Sequence, residues 1–223
     1  MLRRVRDLEG LTLTALDGHA GRIRDVTFDD ETWRVRSVVA DTGPWPSGIH
    51  VAISPRHIVE IDVRLNSIVV DLTRLEIERN PILDSELPVS AQLRSGDYGS
   101  VMGPMYWGFS PGPATAQTLR DAHLRSARHV TGYRVHATDG QLGHVIDLLV
   151  NDVEWTIPYL MTDTTHWRAG RPRLLSTDCV ERIEVASPQI LTRLSREEAV
   201  AAPPATPRFS QPDLPEVAGE CRG

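Results

Sequence analysis

The sequence repeats itself at a fixed offset of 122 residues, without a gap. Gly10 falls on Gly132, Asp17-Gly18 on Asp139-Gly140, Gly21 on Gly143 and Asp25 on Asp147. Trp33 falls on Trp155, Asp41-Thr42 on Asp163-Thr164, Trp45 on Trp167, Ile68 on Ile190 and Pro81 on Pro203. Two tryptophan pairs held at one offset leave little room for coincidence. Stacked solenoids use periods of about 20–50 residues and at least three units. Two long copies instead imply two domains of one kind.

The copies occupy 1–81 and 126–203, with a connector at 82–125 and a polar tail, 204–223, expected to be disordered. Within copy 1, short apolar segments alternate with turn residues, the pattern of an all-β domain with short helices. Leu11 and Leu13 alternate with Thr12 and Thr14. Ile23–Phe28 and Trp33–Ala40 read as a hairpin closed by Asp29-Asp30-Glu31-Thr32, and His50–Ile53, Ile58–Ile61 and Ser67–Val70 as three further strands. Thr73 followed by Glu76 forms a capping box that starts a helix over Arg74–Arg79. Six strands in so short a stretch predict a small antiparallel barrel, since closure removes aggregation-prone edges. The hairpin register is expected to place Phe28 opposite Trp33 and Asp25 opposite Arg36. In copy 2 the same register places Leu148 opposite Ile157 and Asp147 opposite Pro158. Pro158 lacks a ladder donor, so it marks an edge or a bulge.

These residues carry a resemblance. Asp17-Gly18-His19-Ala20-Gly21-Arg22-Ile23-Arg24-Asp25-Val26, Trp33, and Val38-Val39-Ala40-Asp41-Thr42-Gly43-Pro44-Trp45 resemble the PRC-barrel domain. Ala137-Thr138-Asp139-Gly140-Gln141-Leu142-Gly143-His144-Val145-Ile146-Asp147 repeats the pattern. The resemblance covers about 1–203, and the whole chain looks like tandem PRC-barrel proteins of bacteria. The domain also occurs in the cytoplasmic part of the photosynthetic reaction-centre H subunit and in a ribosome-maturation factor. It implies two PRC-type barrels in tandem, related by pseudo-two-fold duplication. It further implies an adaptor for macromolecular contacts with no common catalytic residues.

Composition narrows the alternatives. All 24 basic residues are arginine, so lysine-dependent chemistry, including Schiff-base enzymes and P-loop phosphate binding, is excluded. The net charge of −6 speaks against a general nucleic-acid binder and against electrostatic attachment to anionic lipid. Copy 1 holds 11 arginines against 13 acids and copy 2 holds 8 against 10, so neither is a basic module. No apolar run approaches the length of a membrane span. The two cysteines, Cys179 and Cys221, lack metal-type spacing, and Cys179 reads as an unreactive thiol in a reduced, cytoplasmic setting.

No catalytic, cofactor or metal site is expected. Asp25, Asp29, Asp30 and Glu31 cluster at one turn but lack the ligand spacing of a calcium loop, and read as turn chemistry. Asp41 and Asp163 read as Asx-type turns. The eight histidines form no zinc motif. The candidate interaction surface is aromatic: Tyr98, Tyr106, Trp107 and Phe109 in the Gly/Pro-rich connector, and Trp45 and Trp167 after the third strand of each copy. A short helix is expected over Ala114–Leu124. The expected function is a non-enzymatic protein–protein adaptor without cofactor. It would be cytoplasmic, able to reach a photosynthetic or other membrane complex at its cytoplasmic side, and open to homodimerisation. The alternatives are an RNA- or ribosome-associated factor, and a small-ligand binder or enzyme at the interface between the barrels.

Overall fold

The computed structural model describes residues 1–43, 49–80, 82–83, 123–164 and 172–205. The chain forms two compact units. The first-copy unit comprises Glu9–Phe28 and Arg36–Ser126, and the second-copy unit comprises Met1–Leu8, Asp29–Val35 and Ala127–Gly223. Each unit therefore contains chain from both halves of the sequence.

The strands of copy 1 are β2 (Thr12–Ala15), β3 (Gly18–Asp29), β4 (Val35–Asp41), β5 (His50–Ile53), β6 (Ile58–Asp62), β7 (Ser67–Val70) and β8 (Ile82–Leu83). They pair in the order β6-β7-β2-β3-β4-β5-β8, and β9 (Leu124–Ser126) also pairs with β3. Alternation explains which faces are buried: Leu13 and Ala15 of β2 point into the core, whereas Thr12 and Thr14 are half-buried. Phe28, Val26, Val38, Val51, Ile53 and Ile68 complete that core. A helix, α2 (Arg74–Glu78), lays Ile77 against it. Its capping box is formed as expected: the Glu76 N–H donates to Thr73 Oγ1 at 3.3 Å, and the Thr73 N–H to Glu76 Oε2 at 2.8 Å.

In the second-copy unit, α1 (Val5–Leu8) follows β1 (Leu2–Arg4), and α3 (Ala127–Val130) precedes the sheet strands. These strands are β10 (Arg134–Ala137), β11 (Gly140–Asn151), β12 (Thr156–Asp163), β13 (Arg173–Ser176), β14 (Val180–Glu184) and β15 (Gln189–Thr192). Their order is β13-β12-β11-β10-β15-β14, with β1 also on β11. Shifted by 122 and read in reverse, this is the strand order of the first sheet without β8. A final helix, α4 (Arg196–Ala201), has its own capping box at Ser195 and Glu198. Leu149, Met161 and Leu174 form a separate cluster packed by Tyr159 and Ala205. Beyond α4, the Ala205 N–H donates to the Pro172 carbonyl at 2.7 Å and so lines the edge of β13.

Two expectations need correction. The sheets are mixed rather than antiparallel: β2 runs parallel to β7, and β10 parallel to β15. β7 and β15 each return beside the strand that opens their sheet from later in the chain, so neither is a hairpin neighbour of it. The two mixed sheets are consistent with two tandem β domains, as expected.

The hairpin register also differs. Leu148 lies opposite Leu160 and Asp147 opposite Met161, three residues from the expected partners. Trp33 and Trp155 both adopt φ of 54°, so each ends the turn in a left-handed conformation instead of starting a strand. Each tryptophan N–H closes its own turn, onto the Asp29 and Asn151 carbonyls, both at 2.8 Å. The two tips then bond reciprocally: Val35 N–H to the Trp155 carbonyl and Ile157 N–H to the Trp33 carbonyl, each 2.8 Å. Pro158 sits at a register shift of β12, so its missing donor is accommodated by a bulge.

Candidate functional site

The glycine after each Asp-Gly turn determines how the long strand meets the end of the third strand. A Cβ on Gly21 would lie 2.2 Å from the Asp41 carbonyl oxygen, and one on Gly143 would lie 1.7 Å from that of Asp163. Only glycine permits this approach. At the end of β4, the Asp41 Oδ1 accepts from the Gly43 N–H at 3.2 Å, an Asx turn as read from sequence. His50 Nε2 lies 3.8 Å from the other Asp41 oxygen, and His144 Nε2 lies 3.9 Å from Asp163.

In the first-copy unit this close approach forms one wall of a cleft of about 380 Å³. It is lined by His19 and Arg22 of β3, by Asp41 and Thr42 at the end of β4, and by Arg74 and Glu78 of α2. Asp17 orients the helix by accepting the Arg74 N–H at 2.8 Å, with the Arg74 Nε 3.5 Å from its second oxygen. The Arg74 backbone N–H, ahead of its charge, holds the Asp17 carboxyl below its ordinary value. Copy 2 repeats the helix anchor, Arg196 N–H to Asp139 at 2.8 Å. It does not repeat the charges: His19, Arg22 and Glu78 become Gln141, His144 and Val200.

Exposed apolar residues also differ between the copies, in both directions: Val153 of copy 2 is 77 % exposed where copy 1 carries Glu31. Leu16 is 68 % exposed and Leu75 56 %, where copy 2 carries Thr138 and Glu197. Exposed Val59 and Leu65 correspond to Glu181 and Ser187. In copy 2, β14 carries an ion-pair network instead, with Arg182 2.9 Å from both Glu181 and Glu184.

The family comparison decides what kind of domain carries these features. Residues 2–77 match the PRC-barrel domain family from the first strand to α2. This part of the chain is a PRC-barrel domain. A search of curated proteins finds no match to the chain. The PRC-barrel stretch includes every residue named in the cleft except Glu78. The tandem arrangement rests on the second sheet, which repeats the strand order of the first.

The six aromatic candidates, Trp45, Tyr98, Tyr106, Trp107, Phe109 and Trp167, all lie outside the described residues, as does most of the expected connector helix. The acidic turn behaves as read: Asp29 Oδ1 accepts from the N–H groups of Glu31 and Thr32 at 3.1 and 2.8 Å. In copy 2, Asn151 Oδ1 does the same for the Val153 N–H at 3.0 Å. No group of three or more candidate metal ligands occurs among the described residues. Cys179 is corrected: it is disulfide-bonded, not a free thiol. It lies in a buried 3₁₀ turn, Thr177–Cys179, which gave no sequence signal for a bridge. Sequence reasoning also missed the cleft charges and the exposed leucines. The signal available was divergence between the copies at aligned positions.

Proposed function

We propose that the chain is a non-enzymatic PRC-barrel adaptor whose partner-binding side belongs to the first copy. A PRC-barrel domain is a general interaction module, and its match to residues 2–77 carries the reading. The exposed Leu16 and Leu75 support it, because copy 2 replaces both with polar residues on the same backbone. The connector aromatics and Trp45 and Trp167 are proposed as further contacts. The repeat limits 1–81 and 126–203 are proposed as the units of duplication. The partner is proposed to be a protein, either alone or in a membrane complex touched from its cytoplasmic side, with no direct nucleic-acid contact. Among the described residues no helix is long and apolar enough to cross a membrane.

Crosslinking of the native protein, followed by mass spectrometry, tests this. The double variant Leu16→Thr, Leu75→Glu installs the copy 2 residues. Loss of the wild-type crosslinks is expected; an unchanged crosslink set overturns the assignment to this side. The cytoplasmic location is proposed against one opposing observation, since disulfides such as that of Cys179 persist mainly in oxidising compartments. Thiol labelling under denaturing conditions directly after lysis decides it. Labelling of both cysteines supports the cytoplasm, and labelling only after reduction overturns it.

A second reading, small-ligand binding, is favoured by the charged cleft alone. Chemical-shift changes at His19 on titration with small zwitterions or anions would reveal it, and their absence would leave the adaptor reading alone.

A further inference from the structure

The long strand β11 has two edges. One is covered by β12 from His144 to Asn151. The other is covered by β10 only as far as His144. Beyond that point it is completed by β1, which pairs Leu2 with Asn151, Arg3 with Val150 and Arg4 with Leu149. Leu2, Val5 and Leu8 are buried in the second-copy unit, although they belong to copy 1 in sequence. Arg3 Nε donates to Asp152 Oδ2 at 2.5 Å, and the Arg6 N–H to Asp147 Oδ1 at 3.3 Å. Shifting Leu2–Arg4 by 122 gives Leu124–Ser126, which is β9, and β9 lies on β3. Ser126 Oγ donates there to Asp25, the counterpart of Asp147. Each copy therefore lends its first strand to the long strand of the other.

The contacts that seat β1 involve residues 2–8 and the β11 edge, and none depends on both belonging to one chain. We infer that the Leu149–Asn151 edge is a strand-receiving surface whose second ligand is the Leu2–Leu8 segment of another copy of this protein. Two chains then exchange copies reciprocally, each completing the sheet of the other. Strand addition of this kind satisfies the same ladder bonds in either arrangement. Only the tether distinguishes them. The two copies belong to one chain, and covalent linkage of two such modules sets an effective concentration on the order of millimolar. The single-chain arrangement dominates well below that concentration, and exchange competes near it.

The test uses full-length chains. One carries Leu2→Cys and the other Asn151→Cys, positions that face each other across the ladder. The two are unfolded, mixed and refolded at about 10 µM and about 1 mM, concentrations chosen to bracket the effective value. Non-reducing peptide mapping then scores bonds between positions 2 and 151 of different chains. At least a tenfold enrichment at the higher concentration is expected. No such bond at either concentration overturns the inference. Should either variant fail to fold, wild-type chains with two different affinity tags serve instead. Co-refolding at the higher concentration should give pairs that survive dilution, whereas mixing already folded chains should not. Equal pairing in both procedures, or none in either, overturns it.

Discussion

At position 21 and its counterpart 143 the two copies hold glycine for one reason, the approach of a strand to a carbonyl. At position 16 and its counterpart 138 they hold leucine and threonine, and nothing in the backbone requires either. The same division runs through both copies. Turn glycines, capping boxes and the Asp-to-helix anchors are duplicated, since each satisfies a backbone group or relieves a clash. Cleft charges and exposed apolar residues are not, since solvent tolerates many side chains. Duplication kept what folds the domain and released what it exposes to solvent.

The sharpest test of the shared half is Gly21→Ala beside Gly143→Ala. Each added methyl meets a backbone carbonyl, and Gly21 also has φ of 137°. Both substitutions should cost roughly 3 kcal/mol or more in denaturant unfolding. Hydrogen exchange should show lost protection around β2–β5 for the first and around β10–β13 for the second. A tolerated substitution at one position only would break the equivalence.

The helices offer a smaller test where the copies differ. Ile77 of α2 is 1 % exposed, and its counterpart Ala199 of α4 is fully buried. Ile77→Ala should cost about 2–4 kcal/mol through the cavity it leaves. Ala199→Ile should cost about 1–3 kcal/mol through overpacking. Thermal and denaturant melts of the two variants measure how far each site is fitted to its own residue.

The capping boxes predict equal and lesser effects. Thr73→Ala and Ser195→Ala should each cost about 1 kcal/mol. The Thr73 backbone N–H holds Glu76 below its ordinary carboxylate value, and the Ser195 N–H does so for Glu198. A lowered folded-state pKa stabilises above the unfolded value, and that stability is lost as pH falls through the folded one. Melts across the acid range should therefore show a shallower decline for both alanine variants.

Asp147 predicts the smallest effect and the opposite sign. Burial pushes its carboxyl up, against the Leu148 and Arg6 N–H groups that favour the charge. The folded state then holds a proton to higher pH than the unfolded chain. Stability contributed here declines as pH rises from the unfolded value through the folded one. Asp147→Asn, whose side-chain oxygen still accepts both N–H bonds, should remove that slope: its melt should lie close to the wild type in acid and slightly above it at neutral pH.

Legibility in the sequence followed the range of each interaction. The strands His50–Ile53 and Ser67–Val70 and the Thr73–Glu76 box were readable, because alternation and capping are local. The hairpin register was not, because alternation continues through Trp33, and only its positive φ reveals a turn residue. The parallel pairing of β2 with β7 depends on where the chain returns after four other strands, and carries no local mark. The exchange of β1 was hidden for a related reason: three residues show no period. The cleft draws on segments near residues 20, 41 and 75, and no motif joins them.

The reciprocal bonds between the hairpin tips have an evolutionary consequence. Val35 depends on the Trp155 carbonyl while Ile157 depends on that of Trp33. A backbone change in either tip deprives the other of its partner, so neither can drift alone after duplication. Most duplicated positions gain freedom because a spare exists. These gain none, because each is the spare's own ligand, and related chains should show these two turns diverging last.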